Sequence, residues 1–376
     1  MSRATNMSGR RTAAANLLLL GFLGAMAWLA ATHPNVYYQS VQEDQALEWA
    51  SFWSFFLAAP VFGLAAARQR RSTAALPWFL TGLVIFCVFV AMEEISWGQR
   101  VFGHRPPDYF LAKNYQQELN LHNIASVKLR LLAFRGVILG YGVLLPIAAS
   151  VAIVHRLLDR LAIVAPPVEL VPSMLVMFWI HLEYPWEFTG EVIECALGFG
   201  FLFAAMANVG RFSVTEERGS LARPMGLVAL IVTLAISTAW WSQHRQSGDP
   251  ANLELARAET EALKDDLAAA AEALGRPAIT KCGAHKRLYT FVQQQRRARP
   301  LTEGSFRALV ERGLPEKRAE FFLDPWSSPY WIRDRCHRDE GRRVVFVYSF
   351  GPNRSRDSSP WEIRGDDIGQ VVLIEP

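Results

Sequence analysis

Carboxylates and imidazoles crowd one stretch of an otherwise apolar chain. Glu93 and Glu94 stand side by side, followed by Ser96-Trp97-Gly98-Gln99-Arg100. Asn120-Leu121-His122-Asn123 comes next, then Arg130 and Arg135, and finally His181, Glu183, Glu187, Glu191 and Glu194. Each ionisable group placed inside a bilayer costs about 3 kcal/mol on insertion scales, so such a set needs partners or a function. Carboxylates and imidazoles from several helices can hold a divalent metal ion, which would activate water against a lipid-linked substrate. The same groups, compensated by Arg100, Arg130 and Arg135, can equally form a buried ion-pair network. A third reading is a polar cavity for a partner or a headgroup. No His-Glu-x-x-His spacing decides among them. Glu187, Glu191 and Glu194, spaced four and three apart, are expected to share one helical face. Glu43, Asp44 and Glu48 enter the same side of the chain's second apolar run.

The elements that would position these groups are membrane spans. The 376 residues are 51% hydrophobic and 20% charged, but the average hides two regimes. Apolar runs of about 20 residues, the length that crosses a bilayer core, recur near 14–31, 47–67, 76–96, 131–154, 168–183, 188–208 and 225–241. The expected fold is therefore a membrane all-α bundle of about seven spans (residues 1–242), a linker (243–250) and a small α+β domain (243–376 including the linker). Arg3, Arg10 and Arg11, then Arg68, Arg70 and Arg71, then Arg156 and Arg160, and then Arg211, Arg218 and Arg223 fall on alternate connections, while the long third-to-fourth connection on the other side carries Arg100, Arg105, Lys113, Lys128 and Arg130. The positive-inside rule then puts the N-terminus in the cytoplasm. An odd number of spans places the C-terminal domain outside, in the periplasm of a bacterial inner membrane. Pro172 and Pro185 bracket the fifth run, and a re-entrant segment there would reverse that side. A net charge of +4 is too small to mark a nucleic-acid binder, so the expected partner is the lipid bilayer.

Beyond Trp240-Trp241, Gly248-Asp249-Pro250 breaks the chain and starts a helix, with Asp249 as N-cap and Pro250 in the first turn. Leu263, Leu267, Ala270 and Leu274 share one face, and Gly275 ends the helix. Period-two segments follow at Tyr330 to Arg333, Val344 to Phe350 and Gln370 to Glu375. Cys87 and Cys195 fall in apolar runs, as small buried hydrophobes do. Cys282 and Cys336 lie in the polar part and can pair if that part faces an oxidising compartment.

Four segments of this polar part, Leu301 to Val310, Asp324 to Tyr330, Val347 to Asn353 and Gly365 to Ile368, in that order, resemble the major pseudopilin of type II secretion systems. Leu301-Thr302-Glu303-Gly304-Ser305-Phe306-Arg307-Ala308-Leu309-Val310 is similar to its Thr-x-x-Gly-Leu-x-Ala-Leu segment. Asp324, Pro325, Trp326, Pro329 and Tyr330 match its Asp-Pro-Trp-Gly-x-Pro-Tyr signature. Val347-Tyr348-Ser349-Phe350-Gly351-Pro352-Asn353 resembles its strand ending in Ser-x-Gly-x-Asp, and Gly365-Asp366-Asp367-Ile368 its closing Asp-Asp-Ile. The resemblance covers about residues 251–376. It implies a long helix packed on an antiparallel sheet, and partners among envelope or secretion-system proteins. It also implies a calcium loop, for which Asn353, Asp357, Asp366 and Asp367 offer oxygens. Asn353 replaces the family's aspartate and Arg354 and Arg356 add positive charge, so a solvated turn is the competing reading. Six spans precede the helix, and Met225-Gly226-Leu227-Val228-Ala229-Leu230-Ile231 lacks the family's glutamate. The resemblance therefore implies a borrowed domain rather than a filament subunit. No P-loop, nucleophile elbow or dinucleotide fingerprint appears.

Overall fold

The structure, a computed structural model, describes residues 2–42, 44–102, 106–107, 109–110, 114, 118–212, 222–244, 250–273, 282–289, 292, 323–326, 328–337, 342–354 and 356–375. Glu43, Asp249, Leu274, Gly275 and the 301–310 segment lie outside them. Internal contacts divide the chain into two units, Met1–Gly98 with Ala125–Trp240, and Gln99–Ile124 with Trp241–Pro376.

The first unit is helical: α1 (Ser2–Thr32), α2 (Pro34–Ser40), α3 (Ala46–Thr73), α4 (Trp78–Glu94), and then the second unit's short α5 (Gln99–Phe102) intervenes. It resumes with α6 (residues 127–149), α7 (Ala152–Arg160), α8 (Val171–Glu183), α9 (Thr189–Arg211) and α10 (Ala222–His244). The middle of α6, Gly136–Leu144, is wound as a π-helix. Five helices are long and apolar enough to cross a membrane, over Gly9–Thr32, Ala46–Thr73, Lys128–Ala149, Thr189–Arg211 and Met225–Ser242. The other two expected spans form shorter helices. α4 has 17 residues, bounded by Pro77 and a left-handed turn at Ser96–Gly98. α8 has 13 residues, between Pro166-Pro167 and Tyr184, whose φ of 47° ends it before Pro185. At 1.5 Å per residue α8 reaches about 20 Å, short of a hydrocarbon core about 30 Å thick.

α3 is the centre of this unit and packs along both α4 and α9. The approach to α9 is close because residue 198 is glycine: a Cβ there would overlap Ser54 Oγ and press on the Phe55 ring. Around that crossing Phe201 meets Phe55, Phe86 and Tyr141 at ring-centroid distances of 5.7, 5.1 and 4.9 Å. Polar tethers join the helices as well: Asn16 accepts from the Ser173 amide at 2.9 Å, and Arg68 donates to the Val209 carbonyl at 3.0 Å. Large apolar side chains such as Leu17, Ile85, Leu132, Ile153 and Ile236 face outward. A surface of this kind suits lipid rather than water.

In the second unit α11 (Pro250–Ala273) begins at the expected Pro250 and packs on an antiparallel sheet of β1 (Trp331–His337), β2 (Arg342–Ser349) and β3 (Ile368–Glu375), in the order β1-β2-β3. Ala262, Leu263 and Leu267 of α11 meet Leu288, Tyr289, Tyr330 and Val347 in one core, with Ala270 at its edge. The opposite sheet face carries Val344, Phe346 and Tyr348, covered by Trp331, Phe350, Trp361 and Ile363. Cys282 and Cys336 form a disulfide, with Cα atoms 5.9 Å apart; Cys87 and Cys195 are free and buried.

Beside that disulfide lies a buried ion pair. Arg343 donates through Nε and Nη2 to both oxygens of Asp334, each at 3.1 Å, and its Nη2 also lies 3.1 Å from His285 Nδ1. The His285 amide donates to Asp334 at 3.0 Å. Removing one member leaves the other charge buried without its partner, which typically costs about 3–5 kcal/mol. Asp334→Ala is therefore expected to lower the unfolding free energy of this unit, read from denaturant titration of the full-length chain, by that amount. A change below about 1 kcal/mol would contradict the assignment.

Candidate functional site

Each unit carries a cluster of carboxylates. In the first, Glu93 and Glu94 end α4, while Glu191 and Glu194 lie in the first two turns of α9. The groups acting on Glu94 are the carboxylates of Glu194, Glu191 and Glu93 and the hydroxyl of Ser51 on α3. Glu93 is buried and accepts the Trp97 indole N–H at 2.8 Å; Glu94, Glu191 and Glu194 are half-buried. The α3–α9 crossing sets this geometry. Ser51 is one turn before Ser54, and Glu194 is one turn before Gly198, so the face that makes the crossing also carries the cluster. Ser96, Trp97 and Gly98 follow with φ of 47°, 53° and 75°. Non-glycine residues held in that region cost of order 1–3 kcal/mol each, and the turn aims Trp97 back at Glu93.

Within the first unit, Glu187 and His181 stand apart from this cluster. Glu187 is exposed and precedes α9, because Phe188 at φ 59° breaks the helical run. The expected shared face of Glu187, Glu191 and Glu194 is thus limited to the last two. Only the Glu187 carbonyl is engaged, accepting from the Tyr37 hydroxyl at 2.8 Å. His181 packs with Phe134 of α6, rings 5.6 Å apart, and is influenced by Arg135 rather than by the glutamates. Arg135 Nε is buried without a hydrogen-bond partner. Gln99, Arg100, His122 and Asn123 belong to the second unit. There the buried Gln99 accepts from the Leu119 amide at 2.8 Å. Asn114 donates to the Glu118 carbonyl and to Asn120, and Asn120 donates to the Glu118 carboxylate. Asn114 and Glu118 escaped the sequence reading, since isolated polar residues in a connecting loop carry no periodic signal. Among the described residues, no three acidic, His or Cys ligand atoms of the first unit come within 4.8 Å of one another.

In the second unit three of the quoted motifs meet. Asp324, 1% exposed, accepts from the amides of Trp326 at 3.0 Å and Ser328 at 2.8 Å through Oδ1. Its Oδ2 accepts from the Ser349 hydroxyl at 2.6 Å. Ser349 Oγ in turn accepts from the Gly351 amide at 2.9 Å. Gly351 has φ 68°, and a Cβ there would strike the Asp366 carbonyl. Tyr330 bonds the Glu259 carboxylate of α11 through its hydroxyl, while its carbonyl accepts from Tyr289.

The predicted calcium ligands assemble just beyond. One carboxylate oxygen from each of Asp357, Asp366 and Asp367 lies within 4.8 Å of the others. Gly365, at φ 64°, is required because a Cβ would overlap Asp357. Asn353 departs from the expected ligand role and faces the triad with donors, its amide to Asp366 and its Nδ2 to Asp357, both at 3.1 Å. Asp367 accepts from the Ser358 amide at 2.8 Å through Oδ2, whereas Oδ1 of Asp366 and of Asp367 are buried without partners. Three carboxylates gathered so closely, two of them with a buried oxygen lacking a partner, suit a hard cation with oxygen ligands. No family model, curated protein or solved structure matches the chain.

Burial first, and then a hydrogen bond with Asp357, push the Asp366 carboxyl up to about 7; burial pushes Asp367 up to about 6. Both values exceed the ordinary aspartate value of about 4, so the folded state binds these protons more tightly than the unfolded chain. Their stabilising contribution is complete below about pH 4 and is lost as pH rises through 6 and 7. In chelator, the melting temperature of this unit is expected to fall between pH 5 and pH 8, and calcium at pH 8 is expected to restore it. A profile that is flat over that window and insensitive to calcium would contradict the triad's geometry.

Proposed function

We infer that this chain is a polytopic inner-membrane protein displaying a pseudopilin-like domain in the periplasm. It acts there as an interaction module of the bacterial envelope, with secretion-system proteins as its class of partner. The observation that carries the reading is the hydrogen-bonded junction at Asp324. Three segments chosen only for their resemblance to one family, far apart in sequence, fold against one another through that carboxylate, Ser349, Gly351 and Asp366. Residues that merely happened to resemble a family would have no reason to share a junction.

The disulfide between Cys282 and Cys336 supports the periplasmic side, because such bonds persist in oxidising compartments. The reading keeps the seven crossings of the positive-inside assignment, with α4 and α8 as short spans that tilt little or thin the bilayer locally. Calcium, held by Asp357, Asp366 and Asp367, would rigidify the loop between β2 and β3 and so fix the surface presented to a partner.

Complementation of a deletion strain tests the function. Full-length protein and a Glu93→Gln, Glu94→Gln double variant are expected to restore the lost phenotype. A chain lacking residues 251–376, inserted normally in the membrane, is expected not to. Full activity of that truncated chain would overturn the display reading.

A further inference from the structure

The seam between α6 and α8 holds two polar side chains that the packing of the first unit leaves unused. We propose that Arg135 and His181 bind a phosphate group at the end of the membrane span, carried by a lipid headgroup or free.

Two contacts fix the seam. A Cβ at Gly142 would strike the Met174 side chain, so α6 and α8 touch closely there. Nearer the start of α6 and the end of α8, the Phe134 and His181 rings pack 5.6 Å apart. The two helices therefore run antiparallel, and Arg135, the neighbour of Phe134, lies where its charge acts on the His181 imidazole. The winding of α6 changes to a π-helix directly after Arg135, and such widened turns are frequent at functional sites.

Both side chains have unmet hydrogen-bonding capacity. His181 is 8% exposed, and its Nδ1 is buried without a hydrogen-bond partner, as is Arg135 Nε. Arg135 is the charged side chain that acts on His181, with no carboxylate beside it. Among the described residues no carboxylate pairs with Arg135. A cation set into a span without a counter-ion is costly. An anion with several oxygens offsets the charge and satisfies the orphaned donor together. The planar guanidinium fork matches phosphate oxygens, and the imidazole adds a further N–H donor in the appropriate tautomer.

Depth favours a headgroup-level ligand. Arg135 lies about 10 Å from the Lys128 end of its span, at 1.5 Å per residue, and a long cationic side chain there reaches the interface. His181 sits in the last turn of α8, between the exposed Trp179 and Tyr184. Tryptophan and tyrosine gather at that level of a bilayer. The site is the same whichever side of the membrane this end faces.

The test uses the full-length protein in a neutral, phosphate-free detergent. It is titrated with phosphatidylglycerol, with a galactolipid of the same acyl chains that lacks phosphate, and with inorganic phosphate. Native mass spectrometry and thermal shift are the readouts. Wild type is expected to bind phosphatidylglycerol in preference to the galactolipid and to be stabilised by it. Arg135→Gln is expected to weaken that binding by about tenfold or more. Arg135→Lys, which keeps the charge but loses the fork, is expected to fall between the two, and Glu187→Gln to match wild type. Stabilisation by inorganic phosphate as well would identify the phosphate itself as the recognised group; by the lipid alone, a headgroup phosphodiester; by inorganic phosphate alone, a soluble phosphate. Folded wild type that prefers neither phosphate ligand over the galactolipid overturns the proposal, whatever the variants do. So does a folded Arg135→Gln that keeps the affinity of wild type.

Discussion

The buried carboxylate of Asp324 is the point on which the second unit depends. At 1% exposure it would be expensive if unpaired, and it is fully used: two backbone amides on one oxygen, a serine hydroxyl on the other. Pro325 fixes φ immediately after it, which holds the turn that delivers those amides. Trp326, also 1% exposed, is thereby driven into the interior. Through Ser349 the same carboxylate sets the end of β2, and through Gly351 it sets how closely the loop before β3 can approach. The acidic triad sits at the end of this chain of constraints. Its orphaned oxygens are a consequence of a rigid backbone, since a mobile loop would turn them to water.

The first unit depends instead on backbone proximity. Helices immersed in lipid gain little from apolar burial against one another and rely on close packing. Gly198 supplies that at the α3–α9 crossing, and the aromatic rings of Phe55, Phe86, Tyr141 and Phe201 fill the space around it. The Glu–Ser cluster is placed by the same crossing, one turn along. Packing and the polar site are therefore coupled: a larger residue at 198 would separate Ser51 from Glu94 and Glu194 as well as loosening the bundle.

Much of this was legible before the structure. Hydrophobic run length located the five long apolar helices, because a bilayer imposes it. Period-two alternation located β1, β2 and β3, since each has one face against α11 or against the Trp361 loop. Pro250 marked the start of α11. The short helices were overestimated because apolar composition continues through Pro185 and the left-handed residues Tyr184 and Phe188, where the backbone stops being helical. The polar cluster was overdrawn for a related reason. Spacing rules assume an unbroken helix, and Glu187 stands before the break, while His181 turns to Phe134 and Arg135. Asn114 and Glu118 were invisible, since hydrogen bonding within an irregular loop follows no period. The disulfide needed three dimensions: 54 residues separate Cys282 from Cys336, and only the folding of 282–289 against β1 brings them together.

The central claim is that the second unit folds on the oxidising side of the membrane, and the state of that cysteine pair in living cells tests it most directly. Intact cells would be treated with a thiol-alkylating reagent, lysed and denatured in its presence, then reduced and labelled with a second reagent. The two cysteines would be followed by peptide mass spectrometry, separately from the buried Cys87 and Cys195. The account predicts that Cys282 and Cys336 carry only the second label. Quantitative capture of both by the first label would mean free thiols in the cell, and would contradict a periplasmic domain.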